Sequence, residues 1–175
     1  MRSNKHYTNV TFTRRVDHEA GKHRPPRAGG EPRVCITCGA LYRKRRWISA
    51  ELAAKEQAPS PWVRERFDIV RCPACRRVAN TVPSGIVHLD GAFLGQHRPE
   101  IVRLVQREAT RAAEDNPLGR IIGWDLDPHH RLIVKTTTEH LAQRLGHALK
   151  KAFKGKVRYD FSHENKMAHV YWSRD

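Results

Sequence analysis

Acidic side chains are scarce in this chain. Its 175 residues hold 33 Lys and Arg against 18 Asp and Glu, a net charge of +15 before eleven histidines are counted. An excess of that size opposes compaction by self-repulsion and favours a polyanionic partner, so nucleic acid is the expected ligand. Long apolar runs are missing too: no stretch approaches the ~20 apolar residues that span a bilayer, and no basic helix has the large apolar face of an interfacial anchor. No membrane partner is therefore expected. The start of the chain, Met1 to His6, lacks the apolar core of a secretory signal, so a cytoplasmic, reducing location is expected.

Signs of catalysis are equally sparse. There is no Gly-rich loop to cradle a phosphate, no Gly-x-Ser-x-Gly and no His-Glu-x-x-His. His129 and His130 have the residue type for acid–base cleavage of RNA, since imidazole exchanges protons near neutral pH. They fall in an expected turn, where solvated histidines are ordinary. The expectation is a protein without enzymatic activity and without a small-molecule substrate.

Cysteine occurs four times only, in two matched pairs: Cys35-Ile-Thr-Cys38 and Cys72-Pro-Ala-Cys75, with 33 residues between them. A two-residue spacer lets both sulfurs of a pair face one metal ion, and two such turns supply a tetrahedral four-thiolate site. Gly39 suits a knuckle that needs a left-handed backbone, and Pro73 stiffens the second turn. The usual spacing between pairs is about 15 to 20 residues, so this ribbon carries an insertion. A thioredoxin-like redox pair, two disulfides, or iron on the same thiolates are the rival readings. Zinc on Cys35, Cys38, Cys72 and Cys75, one ion per chain, is the expected cofactor. With four protein ligands it is structural.

Three regions follow from composition. Residues 1–32 read as a flexible basic arm, with Arg14 and Arg15 as candidate phosphate contacts and Val10 and Phe12 as a possible short strand. Residues 33–82 read as a zinc ribbon with an inserted helix capped by Ser49 and ended by Pro59 and Pro61, then a strand from Phe67 to Val70. Within it, Arg43, Lys44, Arg45 and Arg46 precede Trp47 with no acid in the loop, which suggests a phosphate clamp; a solvated loop is the plainer reading. Arg76 and Arg77 extend the basic surface past the second knuckle.

Residues 83–175 read as an α+β layer domain in the order α-β-β-α-β-β: four strands with both helices on one face. The first helix runs from Pro99 to about Ala113, and strands fit Arg120 to Leu126 and Arg131 to Thr136. A second helix starts at Thr138, carries Leu141, Leu145, Ala148, Leu149, Ala152 and Phe153 at helical spacing, and stops at Gly155. Its polar side presents Arg144, Lys150, Lys151 and Lys154, candidate nucleic-acid contacts on a face type that is usually just solvated. Strands around Val157–Phe161 and His169–Trp172 complete the layer. Alternation buries one of Tyr171 and Trp172 and leaves the other available to stack on bases.

Several of these residues together resemble a known family. The run Cys35-x-x-Cys38-Gly39-x-x-Tyr42, the basic residues before Trp47, Cys72-Pro73-x-Cys75-Arg76, and Gly85-Ile-Val-His-Leu-Asp-Gly91 followed by an amphipathic helix are similar to the nonsense-mediated-decay protein three family, large-ribosomal-subunit export adaptors in eukaryotes. The segment from Thr137 to Phe153 is similar to that family's next module. The family's additional cysteines for a second metal are absent here, and the short length resembles a bacterial relative. The resemblance implies binding to structured RNA, ribosomal RNA or a ribosomal subunit, with a role in ribosome stability, assembly or mRNA turnover; it does not imply export. A zinc-ribbon DNA-binding or transcription-associated regulator is the alternative, although no recognition helix adjoins the ribbon.

Overall fold

The computed structural model describes residues 32–55, 67–128, 131–162 and 167–175. These residues form four helices and two mixed sheets that follow one another along the chain. Arg14, Arg15, the Val10–Phe12 segment, Pro59, Pro61, and His129–His130 lie outside them.

The first sheet holds β1 (Arg33–Cys35), β2 (Leu41–Arg43), β3 (Arg46–Ile48) and β4 (Asp68–Val70), in spatial order β3-β2-β1-β4. The first three strands run antiparallel, and β4 lies parallel to β1. Between β3 and β4, helix α1 (Ala50–Lys55) starts where expected: the Ser49 hydroxyl accepts from the Leu52 amide at 3.1 Å. A second helix, α2 (Pro73–Ala79), was not expected, because Cys-Pro-Ala-Cys reads as a bare turn. Cys72 is its N-cap and Pro73 sits in the first turn, where a missing backbone donor costs nothing.

The second sheet departs from the expected four strands. It has five: β5 (Gly85–Asp90), β6 (Ile121–Leu126), β7 (Leu132–Thr136), β8 (Lys156–Ser162) and β9 (Met167–Ser173), ordered β6-β7-β5-β9-β8. The unexpected one, β5, is central, antiparallel to β7 and parallel to β9. It is six residues long and lies between Pro83 and Gly91, too short for its period to announce it. Val87 and Leu89 point to the core; Ile86 and His88 point to the other face.

Helix α3 (Ala92–Asp115) begins a full seven residues before Pro99 and breaks at His97, ahead of the proline that cannot donate to the preceding turn. Helix α4 (Glu139–Phe153) is capped by Thr138, whose hydroxyl accepts from the Leu141 amide at 3.2 Å, and ends at Lys154 before Gly155, both with positive φ. Both helices pack on the same face, where Ile101, Val105, Leu141, Leu145 and Leu149 meet Val87, Leu89, Val134, Val170 and Trp172. Ala152 is exposed rather than in the stripe, and Ala142 and Gly146 are buried instead. Gly146 is required by the close approach: a Cβ there would come within 2.6 Å of the Val170 side chain.

The opposite face carries rings stacked across β5 and β9, with a guanidinium from β8 laid against them. His88 and Tyr171 are stacked with centroids 4.5 Å apart and planes 8° apart, and the Arg158 guanidinium lies 4.3 Å from the Tyr171 ring. Rings stacked across adjacent strands stand upright and clamp those strands together. Trp172 is buried and donates its indole N–H to the Lys154 carbonyl at 2.8 Å. Neither aromatic therefore presents a free face for base stacking.

Candidate metal centre

The knuckle between β1 and β2 is a tight loop. The Gly39 amide donates to the Cys35 carbonyl at 2.9 Å, and the Cys35 amide to the Ala40 carbonyl at 2.8 Å. Gly39 makes the closing bend at φ +71°, the left-handed conformation its sequence position suggests. The second knuckle is the cap of α2, and strand β4 brings it beside the first by pairing with β1.

As a result the four Sγ atoms all lie within 4.8 Å of one another. Cys38 Sγ and Cys72 Sγ are 3.8 Å apart. A zinc–sulfur bond of about 2.3 Å puts tetrahedral ligands about 3.8 Å from each other, so this edge has the right length for a metal and nearly twice that of a disulfide. All four cysteines are free thiols, and no other group of three or more His, Cys, Asp or Glu among the described residues converges in this way. The all-sulfur donor set suits a soft or borderline ion and leaves no oxygen ligand for a hard one.

Amide donors around the sulfurs fit anionic ligands. The Cys72 amide donates to Cys35 Sγ at 3.3 Å, and the Cys75 amide to Cys72 Sγ at 3.4 Å. Burial opposes ionisation of Cys35, but the backbone N–H groups of Cys72, Cys38 and Thr37 outweigh it and bring that thiol down to about 6. Burial prevails at Cys72 and Cys75, whose thiols are pushed up. A metal ion taking these sulfurs as thiolates would have to displace any protons they carry.

Two residues of the centre escaped sequence reasoning. Leu118 packs against the cysteines, and the Arg120 guanidinium donates to Cys75 Sγ at 3.5 Å. Burial opposes the charge of Arg120, and the thiolates of Cys38, Cys75 and Cys72 more than restore it, raising its pKa. No local signal marks either residue, since Arg120 lies 45 positions from Cys75.

The candidate nucleic-acid contacts fall into distinct settings. Arg43, Lys44, Arg45 and Arg46 form the tip of the β2–β3 hairpin, all four exposed, with Arg43 and Arg46 paired. Lys44 and Arg45 occupy the turn at φ +49° and +63°. Trp47 is half-buried, packed on the cysteine cluster and 5.3 Å from Tyr42. Arg76 and Arg77 are half-buried on α2, where Arg76 donates to the Arg71 carbonyl and Arg77 to the Ser84 hydroxyl. Lys150, Lys151 and Lys154 are exposed at the end of α4. Arg144 is tied to Glu108 at 3.3 Å and to Asp115 at 2.9 Å, which docks α4 on α3.

No helix among the described residues is long and apolar enough to cross a membrane. No protein-family model, no curated protein and no solved structure matches this chain. Its own residues carry the functional reading.

Proposed function

We propose that the chain is a zinc-ribbon RNA-binding protein, associated with ribosomal RNA or a ribosomal subunit and acting in ribosome stability, assembly or mRNA turnover. The ribbon is the first sheet with its two knuckles, α1 is its insertion, and zinc holds it through Cys35, Cys38, Cys72 and Cys75. The observation that carries the reading is the hairpin tip. A two-residue turn with both residues at positive φ is ordinarily made by Asn-Gly or Gly-Gly, because a Cβ there costs about 1 kcal/mol per residue. This chain places Lys44 and Arg45 in it, between Arg43 and Arg46. Four like charges in a strained turn are poor for stability and good for phosphate contact. Binding rather than catalysis, and RNA rather than DNA, is the reading supported by the all-thiolate cysteine set, by the lack among the described residues of a helix built for the major groove, and by the likeness to the nonsense-mediated-decay protein three family over about residues 33 to 175.

The test is sedimentation of a cell lysate through a sucrose gradient, with and without nuclease. The expected protein runs with a ribosomal subunit and moves to the top after RNA digestion. Changing Arg43, Lys44, Arg45 and Arg46 together to alanine should weaken RNA affinity and flatten its salt dependence, by up to about 0.7 log unit per log unit of salt for each lost single-strand contact, with zinc content unchanged. Binding to one DNA sequence that survives competitor RNA would transfer the assignment to a transcription-associated regulator.

A further inference from the structure

The cysteine cluster is not closed by its own knuckles. Residues 117–120, on the approach to β6, sit against it from the second sheet. Leu118 packs on the cysteines and Arg120 donates to Cys75 Sγ at 3.5 Å. Arg120 is held for that contact: its Nε donates to the Pro117 carbonyl at 2.9 Å, and its amide donates to Thr137 Oγ1 at 2.8 Å. Thr137 in turn donates through its hydroxyl to the Leu118 carbonyl and through its amide to the Arg120 carbonyl. The loop is thus stapled to the residues that start α4, and its guanidinium is aimed at sulfur.

Charge makes that aim consequential. Four thiolates around one divalent ion carry two negative charges in excess, in a place where Cys35, Cys72 and Cys75 are buried. A buried charge of that kind needs a paired counter-ion, and a fixed guanidinium is well suited to supply it. The cation gains most when a divalent ion is bound, because the ion gathers the four sulfurs around itself and leaves the excess negative charge beside the guanidinium.

We propose that Arg120 is the outer-sphere partner of the metal centre, a positioning residue through which metal occupancy and docking of the two knuckles on the 117–120 loop become one linked equilibrium. By reciprocity, the factor by which docking raises metal affinity is the factor by which metal strengthens docking. The ribbon's orientation on the second unit, and with it the direction of the Arg43–Arg46 tip, is then set by the metal. This inference rests on the reading of the four cysteines as a divalent metal site.

The experiment uses the full chain, with Arg120→Leu and Arg120→Lys. Zinc affinity is measured by competition with a chromophoric chelator, and cobalt(II) is substituted to read the thiolate-to-metal charge-transfer band. Outer-sphere partners typically contribute about 10- to 100-fold in affinity, so Arg120→Leu is expected to release zinc in that range and to shift the cobalt band. Arg120→Lys is expected to recover part of the loss, since it keeps the charge without the anchored fork. Amides of residues 118–120 should exchange faster in the metal-free wild type while those in the middle of α4 do not change. Affinity within twofold of wild type in both variants, or exchange at 118–120 indifferent to metal, overturns the proposal while leaving the metal reading intact. A wild-type chain that takes up neither zinc nor cobalt overturns both. If Arg120→Leu loses the far-ultraviolet signal of α4, Arg120→Lys alone decides: a weakened, shifted centre supports the linkage and an unchanged one sinks it.

Discussion

The second sheet closes over Val87, Leu89, Ile101, Val105, Val134, Leu145, Leu149, Val170 and Trp172, each at most 1% exposed. Among the described residues the first sheet has no such set. Apart from its cysteines, its buried apolar residues among the described ones are Ala40, Leu41, Ile48, Ala53 and Ala74, most of them single methyl groups. Its strands are three residues long, against five to seven in the second sheet. The second unit removes much hydrocarbon from water to offset the entropy of ordering its chain; the described residues of the first offer less, and under the proposed function metal–sulfur bonds at the cysteine cluster make up the difference. Small cores are commonly supplemented in this way, and a sheet held by a metal would be free to devote its surface to charge.

The sharpest way to break the comparison is to remove the metal. Cys72→Ser is the informative variant, because serine keeps the N-cap of α2 and loses only the thiolate. Structural zinc supplies about 10–16 kcal/mol to small modules. Strands β1 to β4 and helices α1 and α2 are therefore expected to lose amide protection in the variant, or on chelation of wild type, while α4 and β5 keep theirs. Hydrogen exchange reads both regions in one sample. Joint loss would show that the second unit depends on the first.

The complementary break is Leu145→Ala. Leu145 is fully buried at the centre of the α4 stripe, and truncation there is expected to cost about 2–5 kcal/mol. Urea titration followed by far-ultraviolet circular dichroism measures it. Zinc content of the folded variant should match wild type, since the side chain touches nothing in the first sheet's cysteine cluster.

Legibility in the sequence divides along the same line. The convergence of the four cysteines was readable because ligand spacing is a local signal and four cysteines leave no surplus. Helix α4 was readable because a Thr cap, an apolar stripe and a glycine stop agree over fifteen residues. Strand β5 was not, although it is the centre of its sheet: six residues with mixed apolar content fit a strand or a buried helical turn equally well. The first turns of α3 were hidden by Pro99, which normally opens a helix and here follows a break at His97. Arg120 and Leu118 were beyond reach, because their role exists only once two units touch. Arg144, read as a candidate nucleic-acid contact, proves to be engaged by Glu108 and Asp115, acids supplied by α3.

A smaller effect sharpens the contrast at the hairpin tip. Replacing Lys44 by Asn and Arg45 by Gly gives the turn the residues its geometry favours. The first sheet should gain about 1 kcal/mol in metal-loaded protein, seen as a later loss of hairpin protection in urea, while affinity for RNA falls. Gain and loss together mark a turn kept for its charge. A stable variant with undiminished RNA binding would remove the tip from the interface.

The smallest expected effect concerns pH and belongs to the second unit alone. His88 is held below its ordinary value by burial first, then by His169 and Arg131, with Asp127 pulling the other way. His147 is lowered by burial and by Lys150. The folded state thus disfavours protons that the unfolded chain accepts near about pH 6.5. Stability from these groups is full above that pH and is lost progressively as pH falls below it toward their folded values. The hydrogen bond between His88 Nε2 and His169 Nδ1, 3.2 Å long, needs one neutral ring and weakens in the same direction. Acid also expels metal from thiolates, so the measurement belongs in the Cys72→Ser background, where the metal centre no longer contributes. There the urea midpoint of α4 helicity should drop between about pH 7.5 and 5.5. Adding His88→Gln should shallow that drop, because glutamine takes up no proton. An equal slope in both proteins would remove His88 as its source and leave His147.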